Sequence, residues 1–169
     1  MTGRRRKTFI VDACVLIDYL NADISILKIF AKIFGEVGIS IDSLNEEVDG
    51  LEVVDCYQEG IAVYESSTEQ LLAAGSRKGR HGLSFYDWLL FLMARDNGWT
   101  AVTNDAALIR ECRSAGVEVI GALRPLIELV LMGKVARKKG VMLVKRMIAA
   151  NEHLGKEYLT MFKEAIKPS

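Results

Sequence analysis

Long apolar runs are missing from this chain. No stretch approaches the roughly 20 residues that a membrane helix needs, so no span is expected. Cysteine is scarce and odd in number. Cys14, Cys56 and Cys112 lie far apart, with no CxxC pair and no Cys/His spacing that suggests zinc. They are expected as small core residues in a reducing compartment. Histidine is limited to His81 and His153, each expected at the surface rather than in catalysis. Net charge is missing too. Lys and Arg number 22, as do Asp and Glu, so bulk charge names no partner. The chain has a basic start, but Asp12 and Asp18 interrupt the apolar run that a secretion signal requires, and no clean cleavage site follows. The expectation is a soluble cytoplasmic protein without internal repeats or low-complexity segments.

Half of the 169 residues are hydrophobic, enough for one well-filled core. Charge is unevenly spread. Arg4, Arg5, Arg6 and Lys7 open the chain with +4, and the stretch from Lys134 to the end carries nine bases against three acids. Between them lie nine bases and nineteen acids, net −10. An acidic body with basic ends can hold a metal in one part and meet a polyanion with another. Arg4 to Lys7 read equally well as a frayed, solvated terminus.

Strand and helix patterns alternate over residues 8–122. Residues 8–12, 38–41, 61–64, 99–103 and 117–120 read as short buried strands. Helices are expected at 15–20, 24–34, 42–48, 67–74, 84–97 and 106–115, the fourth opened by a capping box at Ser67 and Gln70. Val53 and Val54 read as an extended piece or a turn. Residues 75–82 read as a glycine-rich basic loop. From Leu123 the pattern turns helical, at 126–132, 141–150 and 158–166. The architecture expected is α/β: a parallel sheet covered on both faces (residues 1–122) with a helical C-terminal extension (123–169) packed on the same domain or on a second subunit.

Four acids stand out on this frame: Asp12, Glu47, Asp87 and Asp105. Ligands of an open parallel sheet bind beyond the carboxyl ends of its strands. Asp12 ends the first strand and Asp105 follows the fourth. Glu47 lies early in the helix after the second strand. Asp87 lies in the first turn of a helix that runs into the fourth strand, and so starts at the same edge. Two like charges about 4 Å apart repel by roughly 4 kcal/mol at an effective dielectric near 20. A hard divalent cation relieves that conflict and can activate water against a phosphodiester.

Capping competes with this reading. Ser84 and Asp87 fit a capping box, and Asn104 with Asp105 an N-cap pair. Ser43 and Glu46 fit another box, which leaves Glu47 as the free acid, with Glu46 the second choice. Asp12 has the fewest structural uses. Asp18 is expected at the surface, one helix turn past the crevice.

Residues 9–20, running from Phe9 through Asp12 to Leu20, resemble the opening motif of the PIN-domain nucleases. Residues 44–48 resemble the second motif, which favours Glu47. Residues 83–90 are similar to the third, and 101–105 to the fourth. The family usually carries Ser or Thr two residues after the first Asp, and here Cys14 stands there. The resemblance implies a three-layer α/β/α domain with strand order 3-2-1-4-5. It also implies a ribonuclease dependent on Mg2+ or Mn2+, with Asp12, Asp87 and Asp105 as metal ligands and Glu47 ligating or orienting the attacking water. VapC-like toxins of this family are often dimers held by an antitoxin, so RNA, an antitoxin protein and a homodimer are the implied partners. Ser84 and Asn104 are candidates to hydrogen-bond the acids or a phosphate. Arg77, Lys78, Arg80 and the tail bases are candidates for backbone contacts, which position RNA without reading it. A non-cleaving RNA- or protein-binding module is the rival reading. A haloacid-dehalogenase-type phosphatase would want an Asp at the position of Cys14.

Overall fold

A computed structural model describes residues 6–169. Arg4 and Arg5 lie outside the described residues. Strand β1 (Lys7–Val11) leads through Asp12 into helix α1 (Ala13–Ala22), and α2 (Ser25–Phe34) runs into β2 (Gly35–Ser40). Then come α3 (Ile41–Glu47), α4 (Val53–Gln58), β3 (Ala62–Tyr64) and α5 (Thr68–Arg77). A 3-10 turn at Arg80–Gly82 precedes α6 (Phe85–Asn97), β4 (Thr100–Val102), α7 (Ala106–Ser114) and β5 (Val119–Ile120). The tail forms α8 (Arg124–Leu131), α9 (Arg137–Ala150) and α10 (Lys156–Ala165).

The five strands form one sheet in the order β3-β2-β1-β4-β5, every pair parallel. In the central strand, successive side chains point to opposite faces. Phe9 and Val11 join the core shared with α1, α2 and the tail, while Ile10 joins the one beneath α6 and α7. The result is a three-layer α/β/α fold with a parallel sheet in the expected order and a helical C-terminal extension. Helix α6 is buried continuously from Trp88 to Ala94, which accounts for its nearly unbroken apolar sequence. It stops at Gly98, whose φ of 67° is left-handed and suits glycine.

The tail packs on α1 and α2 and belongs to their core. Leu126, Leu129, Leu143, Met147 and Phe162 share it with Leu16, Tyr19 and Leu27. Tyr19 Oη donates to the Ala122 carbonyl at 2.6 Å. Gly140 lets α9 approach its neighbours, since a Cβ there would meet Phe162 at 2.9 Å and Val130 at 3.0 Å.

Several local expectations are corrected. Val53 and Val54 open α4, because the Glu52 and Asp55 side chains form a capping box around its first turn. The supposed loop 75–82 is helical as far as Arg77, and Gly75 is tolerated on an exposed helix face. Ser40, not Ser43, caps α3, its hydroxyl accepting from the Ser43 amide at 3.1 Å. That removes the structural duty assigned to Glu46. Lys7 is no frayed end: it starts β1 and pairs with Glu118 at 2.8 Å. Asp18 is buried, only 3% exposed, because α9 and α10 cover its side of α1.

Candidate functional site

Asp12 leaves the end of β1, the central strand. Its backbone N–H donates to the Val102 carbonyl at 3.0 Å, which locks the ends of β1 and β4 together. Its carboxylate then caps α1, one oxygen accepting from the Cys14 amide at 3.3 Å. The other oxygen accepts from Thr103 Oγ1 at 3.0 Å. Thr103 is fully buried, and the same hydroxyl accepts from the Asp105 amide at 3.1 Å. One threonine thus holds the first and fourth acids in a fixed relation. The residue patterns had not singled it out. The signal lay in the run ending at Asp105, where a hydroxyl sits two residues before the acid.

Asp105 caps α7, accepting from the Leu108 amide at 2.8 Å. Asp87 and Ser84 form a reciprocal capping box on α6, with Ser84 N donating to Asp87 at 2.7 Å and Asp87 N donating to Ser84 Oγ at 3.1 Å. Glu47 is the last residue of α3, on the rim. Both capping readings hold, and even Asp12 has a capping use.

Electrostatics nevertheless groups the four. Burial pushes the Asp12 carboxyl up. Hydrogen bonds from Thr103 and Cys14 oppose this, and the charges of Asp87 and Asp105 add to the rise. Glu47 is pushed up to about 7, first by burial and then by the Asp12 charge, with Asp87 contributing. The Cys14 thiol rises to about 11 through burial and then the charges of Asp12, Glu47, Asp18 and Asp87. It stays protonated at neutral pH and is no nucleophile. Glu46 instead acts with Glu47 on the Tyr86 hydroxyl.

All four acids offer carboxylate oxygen, the donor type that Mg2+ and Mn2+ take. Among the described residues, however, no three His, Cys, Asp or Glu side chains approach closely enough to enclose an ion. The donor chemistry fits such a cation, and the carboxylates would have to turn inward from their capping positions to hold one.

Asn104 is committed elsewhere. Its Oδ1 accepts from the Ala122 amide at 3.0 Å and its Nδ2 donates to Tyr158 Oη at 3.1 Å, tying the tail to the end of β4. Neither end of that amide reaches the acids in this arrangement. Arg77 places its guanidinium over the ring of Trp88, the residue after Asp87, 5.3 Å from the centroid. Lys78 and Arg80 are exposed beside it. His81 is exposed and pairs with Glu111 at 2.7 Å, and His153 is exposed on the corner between α9 and α10. Among the described residues, no helix is long and apolar enough to cross a membrane. The layers and strand order are consistent with a PIN-like topology. No protein-family model matches the chain, and no curated protein matches it.

Proposed function

We propose that the protein is a divalent-metal-dependent ribonuclease that hydrolyses RNA phosphodiester bonds. The observation that carries the reading is that Thr103 holds Asp12 and Asp105 together at the carboxyl edge of the parallel sheet, where burial and neighbouring acid charges raise Asp12 and Glu47 and no ion pair among the described residues reaches either. Perturbed carboxylates grouped at one edge of a sheet are the pattern expected of a functional site. Mg2+ or Mn2+ bound there would lower the pKa of water and stabilise charge on the phosphodiester oxygens. Asp12, Asp87 and Asp105 are the residues to hold the cation. Thr103 keeps the Asp12 carboxylate oriented. Glu47, whose charge interacts with that of Asp12, would orient the attacking water and take its proton. Arg77, Lys78 and Arg80 would position the strand beside α6. A toxin role, an antitoxin partner, a homodimer and a cytoplasmic location belong to the same proposal and rest on the resemblance of the four motifs.

The test is incubation with structured and single-stranded RNAs in Mn2+ or EDTA. Wild type is expected to cleave only with metal, and Asp12→Asn not at all. Glu47→Gln should lose about 10²–10⁴-fold in rate, as for a general base. Wild-type cleavage no greater than that of Asp12→Asn on every substrate sinks the proposal.

A second reading, a non-cleaving RNA- or protein-binding module, is favoured by one observation: Asp12, Asp87 and Asp105 each already cap a helix. Metal-independent RNA binding without turnover would select it.

A further inference from the structure

The corner between α9 and α10 forms an open-sided cavity with α1, next to the acids. A space of about 440 Å³ is lined by Cys14, Asp18, Asn104, Leu154, Tyr158 and Met161, among others. An adjoining space of about 560 Å³ shares Cys14, Asp18 and Asn151 with it. Either volume falls within the roughly 300–1,000 Å³ of small-ligand sites. The cavity is joined to the crevice through two residues. The Cys14 amide donates to Asp12, and Asn104 precedes Asp105.

Asp18 is the buried carboxylate in it. It is 3% exposed and lines both spaces. One oxygen accepts from Asn151 Nδ2 at 2.9 Å. Among the described residues no other group donates to it and no cation pairs with it, although burying a carboxylate is costly. Tyr158 also lines the first space: its Oη accepts from Asn104, and its own proton has no acceptor among the described residues. The lining therefore includes a carboxylate with one protein donor and a hydroxyl whose proton has no protein acceptor among the described residues, together with the apolar Leu154 and Met161.

We propose that this cavity takes a guanine base of the RNA strand lying in the acid crevice, an inference that rests on the ribonuclease reading. Guanine alone among the four bases sets two donors side by side, N1–H and the exocyclic amino group, with the O6 acceptor next to them. A carboxylate accepts two neighbouring donors in a bidentate fashion. The Asp18 oxygens receive N1–H and the amino group, and Tyr158 Oη donates to O6. Adenine and cytosine place a ring acceptor beside their amino group, which would face the carboxylate lone pairs. Uracil offers one donor between two acceptors. Single-stranded RNA is commonly read through such splayed-out bases. The helical tail is then the wall that gives a shared nuclease crevice its base preference.

The test uses the full-length Asp12→Asn protein and seven-nucleotide fluorescent oligouridines carrying a central guanosine, inosine, adenosine or uridine. Guanosine is expected to bind about tenfold tighter than adenosine or uridine, the scale of one bidentate base contact. Inosine, which lacks the amino group, should fall between. Asp18→Asn in the same background should collapse the guanosine-to-uridine ratio, with circular dichroism confirming the fold, and Tyr158→Phe should reduce it. Wild-type cleavage should map beside guanosines. Equal binding of all four oligonucleotides, while wild type still cuts RNA, overturns this inference and leaves the ribonuclease standing. Competition by arginine amide without guanosine preference overturns it in favour of a partner protein's guanidinium. Saturation by guanosine monophosphate without displacement of RNA overturns it in favour of a free-nucleotide site. If no RNA is bound or cut, the ribonuclease reading and this inference fall together.

Discussion

The two edges of the sheet treat carboxylates in opposite ways. At the amino edge, Glu118 stands just before β5 and takes Lys7 Nζ at 2.8 Å, and that lysine holds its carboxyl below the usual range. Asp96, in the last turn of α6, is pushed up by burial, but hydrogen bonds from Gln70 and Arg95 outweigh this and the net shift is downward. At the carboxyl edge, Asp12 and Glu47 shift upward, and none of the ion pairs among the described residues reaches Asp12, Glu47, Asp87 or Asp105. Cations reach Glu118 and Asp96 at the amino edge, and none among the described residues reaches the four acids at the carboxyl edge, three of which cap helices. That contrast, more than the acids themselves, sets the carboxyl edge apart.

The strongest way to break the contrast is to add a divalent cation. If the carboxyl edge is a metal site, Mn2+ at 100 times its dissociation constant should stabilise wild type by about 2.7 kcal/mol. The Asp12→Asn, Asp87→Asn double variant should show no such gain in a thermal melt. An equal shift in both proteins would mean that the ion binds elsewhere.

A smaller effect separates the edges by pH. The folded-state pKa of Glu47 is about 7, against 4.5 for the unconstrained group. Between those values the folded chain keeps a proton that the unfolded chain has released, so stability falls as pH rises through this window. Without divalent ions, the melting temperature should drop between about pH 5 and about pH 8, and Glu47→Gln should flatten the drop. A steeper fall in the variant would contradict the assigned shift. Glu118 is the mirror case, since its lowered pKa contributes stability that is present above the unfolded value and lost on acidification. Glu118→Gln should cost no more than about 1 kcal/mol at neutral pH, because the Lys7 pair is exposed, and the cost should shrink in high salt. A loss at Glu118 as large as the Mn2+ effect would erase the distinction between the edges.

Much of this was written locally. Periodicity in residues 84–97 and the glycine after them were enough to place α6, because a helix buried all round leaves little choice of register. The capping signals at Ser67 and Ser84 were local hydrogen-bond chemistry and held. The box assigned to Ser43 did not, because Ser40 sits where β2 ends and can close the turn three residues earlier. Thr103 went unnoticed because its value lies in bridging two acids 93 positions apart, a relation that no local pattern encodes. Asp18 was misplaced at the surface for the same reason. Its burial is imposed by Asn151, 133 residues away.

By itself, then, the order of residues determined most of the strands and helices, that the strands run parallel, and that Asp12, Asp87 and Asp105 stand at a strand end or helix starts, but not that Glu47 ends α3. These follow from short-range sterics, capping and apolar periodicity. Tertiary structure alone decided which carboxylates meet unpartnered charges, where Asn104 spends its amide, and that the tail walls a cavity beside the crevice. Desolvation and Coulomb interaction depend on distance through space, and only packing turns separation along the chain into proximity.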